Sequence, residues 1–136
     1  STLLLDILKA VLPIIYVKLN YPEFIYICSL SVFLGHVFPI WLKFKGGKGV
    51  ATYVGMLIIL NYFLGIVFGI VWVITYLISK YSSLGSILGS LSVPIFIFFY
   101  SNDNIMFYFI MFILIFYTHR ENVKRLINKE ETKTKI

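Results

Sequence analysis

Long apolar runs, broken only where charged and turn-forming residues collect, constrain this chain more tightly than any other feature. Lipid offers no partners to backbone N–H and C=O groups, so a run that enters a bilayer must close its hydrogen bonds within itself, as a helix does. About 20 residues of helix cross the hydrocarbon core. Hydrophobic residues make up 60% of the chain and charged residues only 13%, with a mean hydropathy of +0.91. That leaves too little polar surface to cover a water-soluble globule of 136 residues. The sequence predicts an all-α fold, a polytopic transmembrane helical bundle.

Six apolar segments are expected: Thr2–Leu19, Phe24–Leu42, Val50–Leu60, Tyr62–Ser79, Leu84–Tyr100 and Asn104–Tyr117. Asn20-Tyr21-Pro22 stops the first, and Asn61 divides the third from the fourth. Val50–Leu60 would be about 16 Å long as helix, too short to span alone, and reads as a half-membrane or tilted element. Residues 1–118 are expected to form the bundle and residues 119–136 a basic cytoplasmic tail. No sequence period marks a repeat architecture. A basic leader followed by a small-residue cleavage site is also missing, so no signal peptide is expected.

Basic residues fix the predicted orientation. If each segment reverses direction, Lys43, Lys45, Lys48, Lys80, Arg120, Lys124, Arg125, Lys129, Lys133 and Lys135 fall on one side, with Lys18, Glu23 and Asp103 opposite. That asymmetry places the polar loops and the tail together on the cytoplasmic face of a bacterial inner membrane. The net charge of +6 is then explained by membrane orientation and anionic headgroups, and no nucleic-acid partner is expected. Cys28 lies in an apolar run and is the single cysteine, so no intrachain disulfide can form. With two histidines besides, a structural zinc site is not expected.

The loop Lys43-Phe44-Lys45-Gly46-Gly47-Lys48-Gly49 precedes a helix. Glycines there let backbone N–H groups close on an oxyanion, the helix N-terminus adds a favourable dipole, and Lys48 supplies a full charge. Taken alone, the loop fits a flexible positive-inside connection equally well. It lacks the G-x-x-x-x-G-K-[ST] pattern of nucleotide-binding loops. His119-Arg120-Glu121-Asn122, also taken alone, reads as an interfacial junction leading into a solvated amphipathic tail. His36 reads as a core histidine that bends the second helix together with Pro39. Asp6 and Lys9 are spaced to pair on one helical face, and Ser82, Ser83 and Ser86 fit close helix packing.

Together, Gly35-His36-Val37-Phe38-Pro39, Phe44-Lys45-Gly46-Gly47-Lys48-Gly49-Val50-Ala51-Thr52 and His119-Arg120-Glu121-Asn122-Val123-Lys124-Arg125-Leu126 closely resemble the bacterial acyl-phosphate:glycerol-3-phosphate acyltransferases. Leu5-Asp6-Ile7-Leu8-Lys9 and Tyr81-Ser82-Ser83-Leu84-Gly85-Ser86 match two further blocks of that family, in the right order. The resemblance implies a seven-helix membrane enzyme that moves a fatty acyl group from acyl phosphate to the 1-hydroxyl of glycerol 3-phosphate. It also implies no cofactor, no metal, and no direct use of acyl-CoA or acyl carrier protein. Lys45, Gly46, Gly47, Lys48 and Gly49 would hold substrate, Lys48 and Ser83 would grip glycerol 3-phosphate, and His119 and Asn122 would orient substrate phosphates. Lys80 stands where the family usually has arginine, which keeps the charge but loses a bidentate fork.

The family's first helix and its Ser-Gly-Asn-x-Gly-Ala-Thr-Asn-x-x-Arg loop have no counterpart in these residues; the resemblance puts them before Ser1 and implies weakened catalysis by the 136 residues alone. Two other readings are a small transporter or channel subunit, with the short third helix as a re-entrant element, and an inactive relative.

Overall fold

A computed structural model describes residues 2–135. Seven α-helices run through them: α1 Thr2–Asn20, α2 Ile25–Val37, α3 Val50–Leu60, α4 Tyr62–Ser79, α5 Ser82–Tyr100, α6 Ile105–Thr118 and α7 Arg120–Ile127. Short 3-10 turns at Pro22–Phe24 and Ile40–Leu42 flank α2, and no strand occurs among the described residues. The segments Pro22–Leu42, Tyr62–Ser79 and Ser82–Tyr100 are long and apolar enough to cross a membrane, while α3 and α6 are shorter apolar helices. The fold is all-α, as the apolar runs require. The tail adds a seventh helix to the six expected segments.

Local signals set the boundaries. Asn61 ends α3 in extended backbone (φ −160°, ψ 105°) and its Oδ1 accepts from the Phe63 N–H at 3.1 Å, opening α4. One short amide thus separates two helices that would otherwise run about 45 Å as one. Asn104 does the same for α6, accepting from the Phe107 N–H at 3.3 Å. The Lys18 ammonium donates to the Ile59 carbonyl at 2.5 Å, placing a cation on the last turn of α3.

Two compact units divide the chain, residues 1–65 and residues 66–136. In the first, α1 packs against α2 and α3 around the buried Ala10, Ile14, Phe33, Tyr53, Met56 and Leu57. Gly55 permits this approach, since a Cβ there would meet Ile7 and Val11 at 3.3 Å. In the second unit α5 packs on α6 around Val93, Ile97, Tyr108, Met111 and Ile115. Gly85 and Gly89 bring α5 close to Trp72 and Phe68 of α4, the small-residue packing that membrane helices favour.

Outward-facing side chains are large and apolar: Ile66, Ile70, Ile74 and Ile78 along α4 are all more than half exposed. A soluble surface does not carry such a stripe, and lipid accommodates it without cost.

Candidate active site

The first unit places a cleft of about 400 Å³ between α1, the end of α2 and the glycine loop. Its walls include Asp6, Lys9, His36, Lys45, Gly46, Gly47 and Thr52. The His36 ring does not bend a helix. Instead α2 stops at Val37, because Pro39 cannot continue it. His36 sits on that last turn with Nδ1 3.8 Å from Asp6 Oδ1. Asp6 thus faces a histidine of another helix as well as lying one turn from Lys9.

Backbone geometry folds the loop back over α2. Lys43 and Phe44 take left-handed φ values of 53° and 62°, and the Gly46 N–H donates to the Val37 carbonyl at 3.0 Å. A Cβ at Gly46 would run into the His36 carbonyl oxygen, and one at Gly47 would lie 2.5 Å from His36 Nε2. These two glycines are demanded by close approach. The Gly46 N–H is spent on the last residue of α2, so it is not available as a donor to an anion. Gly49 (φ 82°) turns the chain into α3 against Phe33 and Val37.

No side-chain cap closes the first turn of α3, and its leading N–H groups are those an oxyanion takes at a helix N-terminus. Thr52, 1% exposed, lines the same cleft with a hydroxyl that has no partner among the described residues. Lys45 and Lys48 are both exposed.

The second unit assembles a different site. Ser83 lies in the first turn of α5, since that helix opens at Ser82, two residues before the expected Leu84. His119, Asn122 and Ser83 are 2%, 5% and 7% exposed. His119 joins α6 to α7, and its Nδ1 donates to the Ile115 carbonyl at 2.8 Å. A carbonyl only accepts, so this bond fixes the neutral ring as the Nδ1–H tautomer and makes Nε2 its acceptor. Arg120 turns away, donating to the Tyr117 carbonyl and lying 4.3 Å over that residue's ring.

Ser83 and Asn122 meet at a residue that sequence reasoning did not single out, Glu131. Ser83 Oγ donates to Glu131 Oε1 at 2.8 Å, Asn122 Nδ2 to the same oxygen at 2.7 Å, and Arg125 Nε to Oε2 at 2.7 Å. The tail is thus folded back at Glu131, while most of its other residues stay exposed. It reverses where Lys129 takes φ 59°: Lys129 N–H bonds Leu126 O at 3.2 Å and Glu130 N–H bonds Arg125 O at 2.7 Å, the Schellman pattern. The Thr134 N–H then donates to the Lys80 carbonyl at 3.0 Å, and the Lys133 ammonium lies 5.9 Å from the Tyr81 ring centre. Burial alone would raise the Glu131 carboxyl; hydrogen bonds from Asn122, Arg125 and Ser83, with the Arg125 charge, outweigh it and lower the pKa to about 2.

Of the three neighbouring serines, Ser86 is occupied with packing: it accepts from the Trp72 indole at 3.2 Å and donates to the Ser82 carbonyl at 3.1 Å. Ser83 is the one directed at the polar cluster.

Helices of membrane-crossing length, with a glycine–lysine loop at one helix start and a buried Ser/His/Asn cluster at another, define a polytopic helical membrane protein. The profile of the glycerol-3-phosphate acyltransferases matches residues 1–129, and the chain belongs to this family of enzymes. It is 71% identical over 136 residues to the glycerol-3-phosphate acyltransferase of Pelagibacter ubique (strain HTCC1062), covering all of this chain and 71% of that one. It is 41% identical over 134 residues to that of Mesorhizobium japonicum, covering 98% and 69%. Among solved structures it is similar to PlsY (YgiH), an integral membrane glycerol 3-phosphate acyltransferase, in its glycerol 3-phosphate form and its lysophosphatidic acid form. Both superpose with a TM-score of 0.87 at 30% identity; the first covers 98% of this chain and 69% of PlsY.

Proposed function

We propose that this chain transfers a fatty acyl group from acyl phosphate to the 1-hydroxyl of glycerol 3-phosphate, releasing lysophosphatidic acid and inorganic phosphate. One observation carries the reading: the similar membrane enzyme has been crystallised in a glycerol 3-phosphate form and a lysophosphatidic acid form, the acceptor and the product of this reaction. The basic asymmetry of the loops supports a site on the cytoplasmic face of a bacterial inner membrane, with residues 119–136 on that side.

Acyl phosphate is a mixed anhydride, so no covalent enzyme intermediate is needed. The acceptor oxygen bonds to the acyl carbon, the acyl C–O bond to phosphate breaks, and the hydroxyl proton leaves on the departing phosphate. What the protein supplies is position and charge, because two anions must approach each other. Lys48 and Lys45 provide positive charge, Gly46 and Gly47 give the loop its close turn, and Gly49 exposes the N–H groups that start α3. Ser83, His119 and Asn122 orient the acceptor, with His119 Nε2 as a hydrogen-bond acceptor for a hydroxyl. No metal or further cofactor enters the scheme.

The test is to supply acyl phosphate and radiolabelled glycerol 3-phosphate to membranes carrying the chain. Labelled lysophosphatidic acid that requires acyl phosphate and disappears in Lys48→Ala supports the reading. Uptake of label without acylation would identify a transporter instead, and neither outcome would leave the chain an inactive relative.

A further inference from the structure

We propose that Glu131 is a positioning residue of the acceptor site: its carboxylate takes the one hydroxyl proton of Ser83 and an amide proton of Asn122, so that Ser83 meets the substrate as a hydrogen-bond acceptor for a glycerol hydroxyl, not as a donor to phosphate. The inference rests on the acyltransferase reading and deepens it.

A serine hydroxyl has one proton and two lone pairs. At 2.8 Å from Glu131 Oε1, that proton is committed to a charged acceptor, the stronger kind of hydrogen bond. Phosphate oxygens only accept, so what Ser83 has left, lone pairs beside a carboxylate, repels them. An alcohol O–H is the ligand chemistry that fits. Asn122 is oriented by the same oxygen: only its nitrogen can face a carboxylate at 2.7 Å, which settles the amide's direction and turns Oδ1 the other way.

Several contacts hold Glu131 in place. Its side chain is 9% exposed and carries the Arg125 bond on its second oxygen, the turn at Lys129 delivers it, and the Thr134–Lys80 bond fastens the chain beyond it. Displacing such a carboxylate by substrate would strip a largely buried charge of three donors, a costly exchange. A tail that acts as a substrate-displaced plug is therefore the weaker reading, and the kinetics separate the two.

The experiment measures kcat and KM for both substrates in membranes carrying wild type, Glu131→Ala, Glu131→Gln, Ser83→Ala and the Ser83→Ala/Glu131→Ala pair, with exposed Glu130→Gln as control. Positioning predicts that Glu131→Ala raises KM for glycerol 3-phosphate about ten- to a hundredfold while KM for acyl phosphate stays within about twofold. Glu131→Gln, which keeps an acceptor oxygen, recovers part of the loss. The double variant is little worse than Glu131→Ala, because both changes remove one unit. A lowered KM for glycerol 3-phosphate in Glu131→Ala would establish the plug and overturn the proposal. Equal rises for both substrates, or additive effects, would reduce Glu131 to a structural tie. Calorimetric binding of glycerol 3-phosphate to the same proteins keeps the two readings apart. Binding that weakens in Glu131→Ala, without turnover in wild type, would keep Glu131 in its role and sink the acyltransferase. Turnover in wild type with Glu131→Ala unchanged does the reverse, and no binding to wild type overturns both.

Discussion

The glycine loop of the first unit and the Ser83–Asn122–Glu131 cluster of the second both present polar groups at a helix start, but they are made of different materials. The loop is local in sequence and depends on backbone: two left-handed residues, close approach at Gly46 and Gly47, and uncapped N–H groups at α3. The cluster depends on side chains, joining residues 48 positions apart through one carboxylate. Positive charge and bare N–H groups suit a phosphate. A site whose protons are already drawn to Glu131 suits an alcohol. The contrast is between a backbone site suited to an anion and a side-chain site suited to an alcohol.

The largest expected effect tests the loop's half of that contrast. Lys48→Ala should cut lysophosphatidic acid formation by about a hundredfold or more, the scale of losing a charge that faces a reacting phosphate, while Lys45→Ala should cost less than about tenfold. Equal losses in rate assays would make the loop a diffuse positive field instead of a grip.

Backbone demand in the loop comes next. Gly46→Ala puts a Cβ against the His36 carbonyl and should destabilise the protein by about 1–3 kcal/mol. Gly35→Ala, where nothing lies within 4 Å, should be neutral or stabilising by up to about 1 kcal/mol. Thermal unfolding in detergent reads both, and equal shifts would remove close approach as the reason for Gly46.

The cluster should respond to acid through its one carboxylate. The Glu131 carboxyl ionises at about 2 in place against 4.5 unperturbed, a lowered value, so the stabilisation is complete above about pH 4.5 and lost as pH falls towards 2. Arg125 is the charged group bonded to it. The protection of the Thr134 amide against hydrogen exchange, relative to its intrinsic rate at each pH, should fall across that window in wild type, since this N–H ties the tail to Lys80. In Glu131→Gln it should be reduced already at neutral pH. An exchange rate indifferent to the substitution would show that the carboxylate does not hold the tail.

The smallest effect separates neighbours. Ser86→Ala removes the Trp72 bond and should cost about 1 kcal/mol of stability with kcat and KM unchanged, whereas Ser83→Ala should change kinetics with little effect on unfolding. Reversed results would exchange the roles of the two serines.

Much of this was legible from residue order. Apolar runs fixed the helices because lipid leaves no alternative, and Asn61 and Asn104 marked helix starts as short amides do. Lys45–Gly49, Ser83, His119 and Asn122 stood out through contiguous motifs. Glu131 did not, since the turn that returns it places Lys129, not glycine, at left-handed φ, and so hides the usual sign of a reversal. His36 misled for a related reason: its partner Asp6 lies on another helix, and spacing along one helix pointed to Lys9. Ser83 was ambiguous until Trp72 accounted for Ser86.

The most direct test of the central claim counts products: phosphate released and lysophosphatidic acid formed, by membranes carrying this chain, at increasing glycerol 3-phosphate. The account predicts one phosphate per lysophosphatidic acid, both rising together with the acceptor and both lost in Lys48→Ala. Phosphate released at the same rate without glycerol 3-phosphate would make the protein a hydrolase of acyl phosphate and contradict the account.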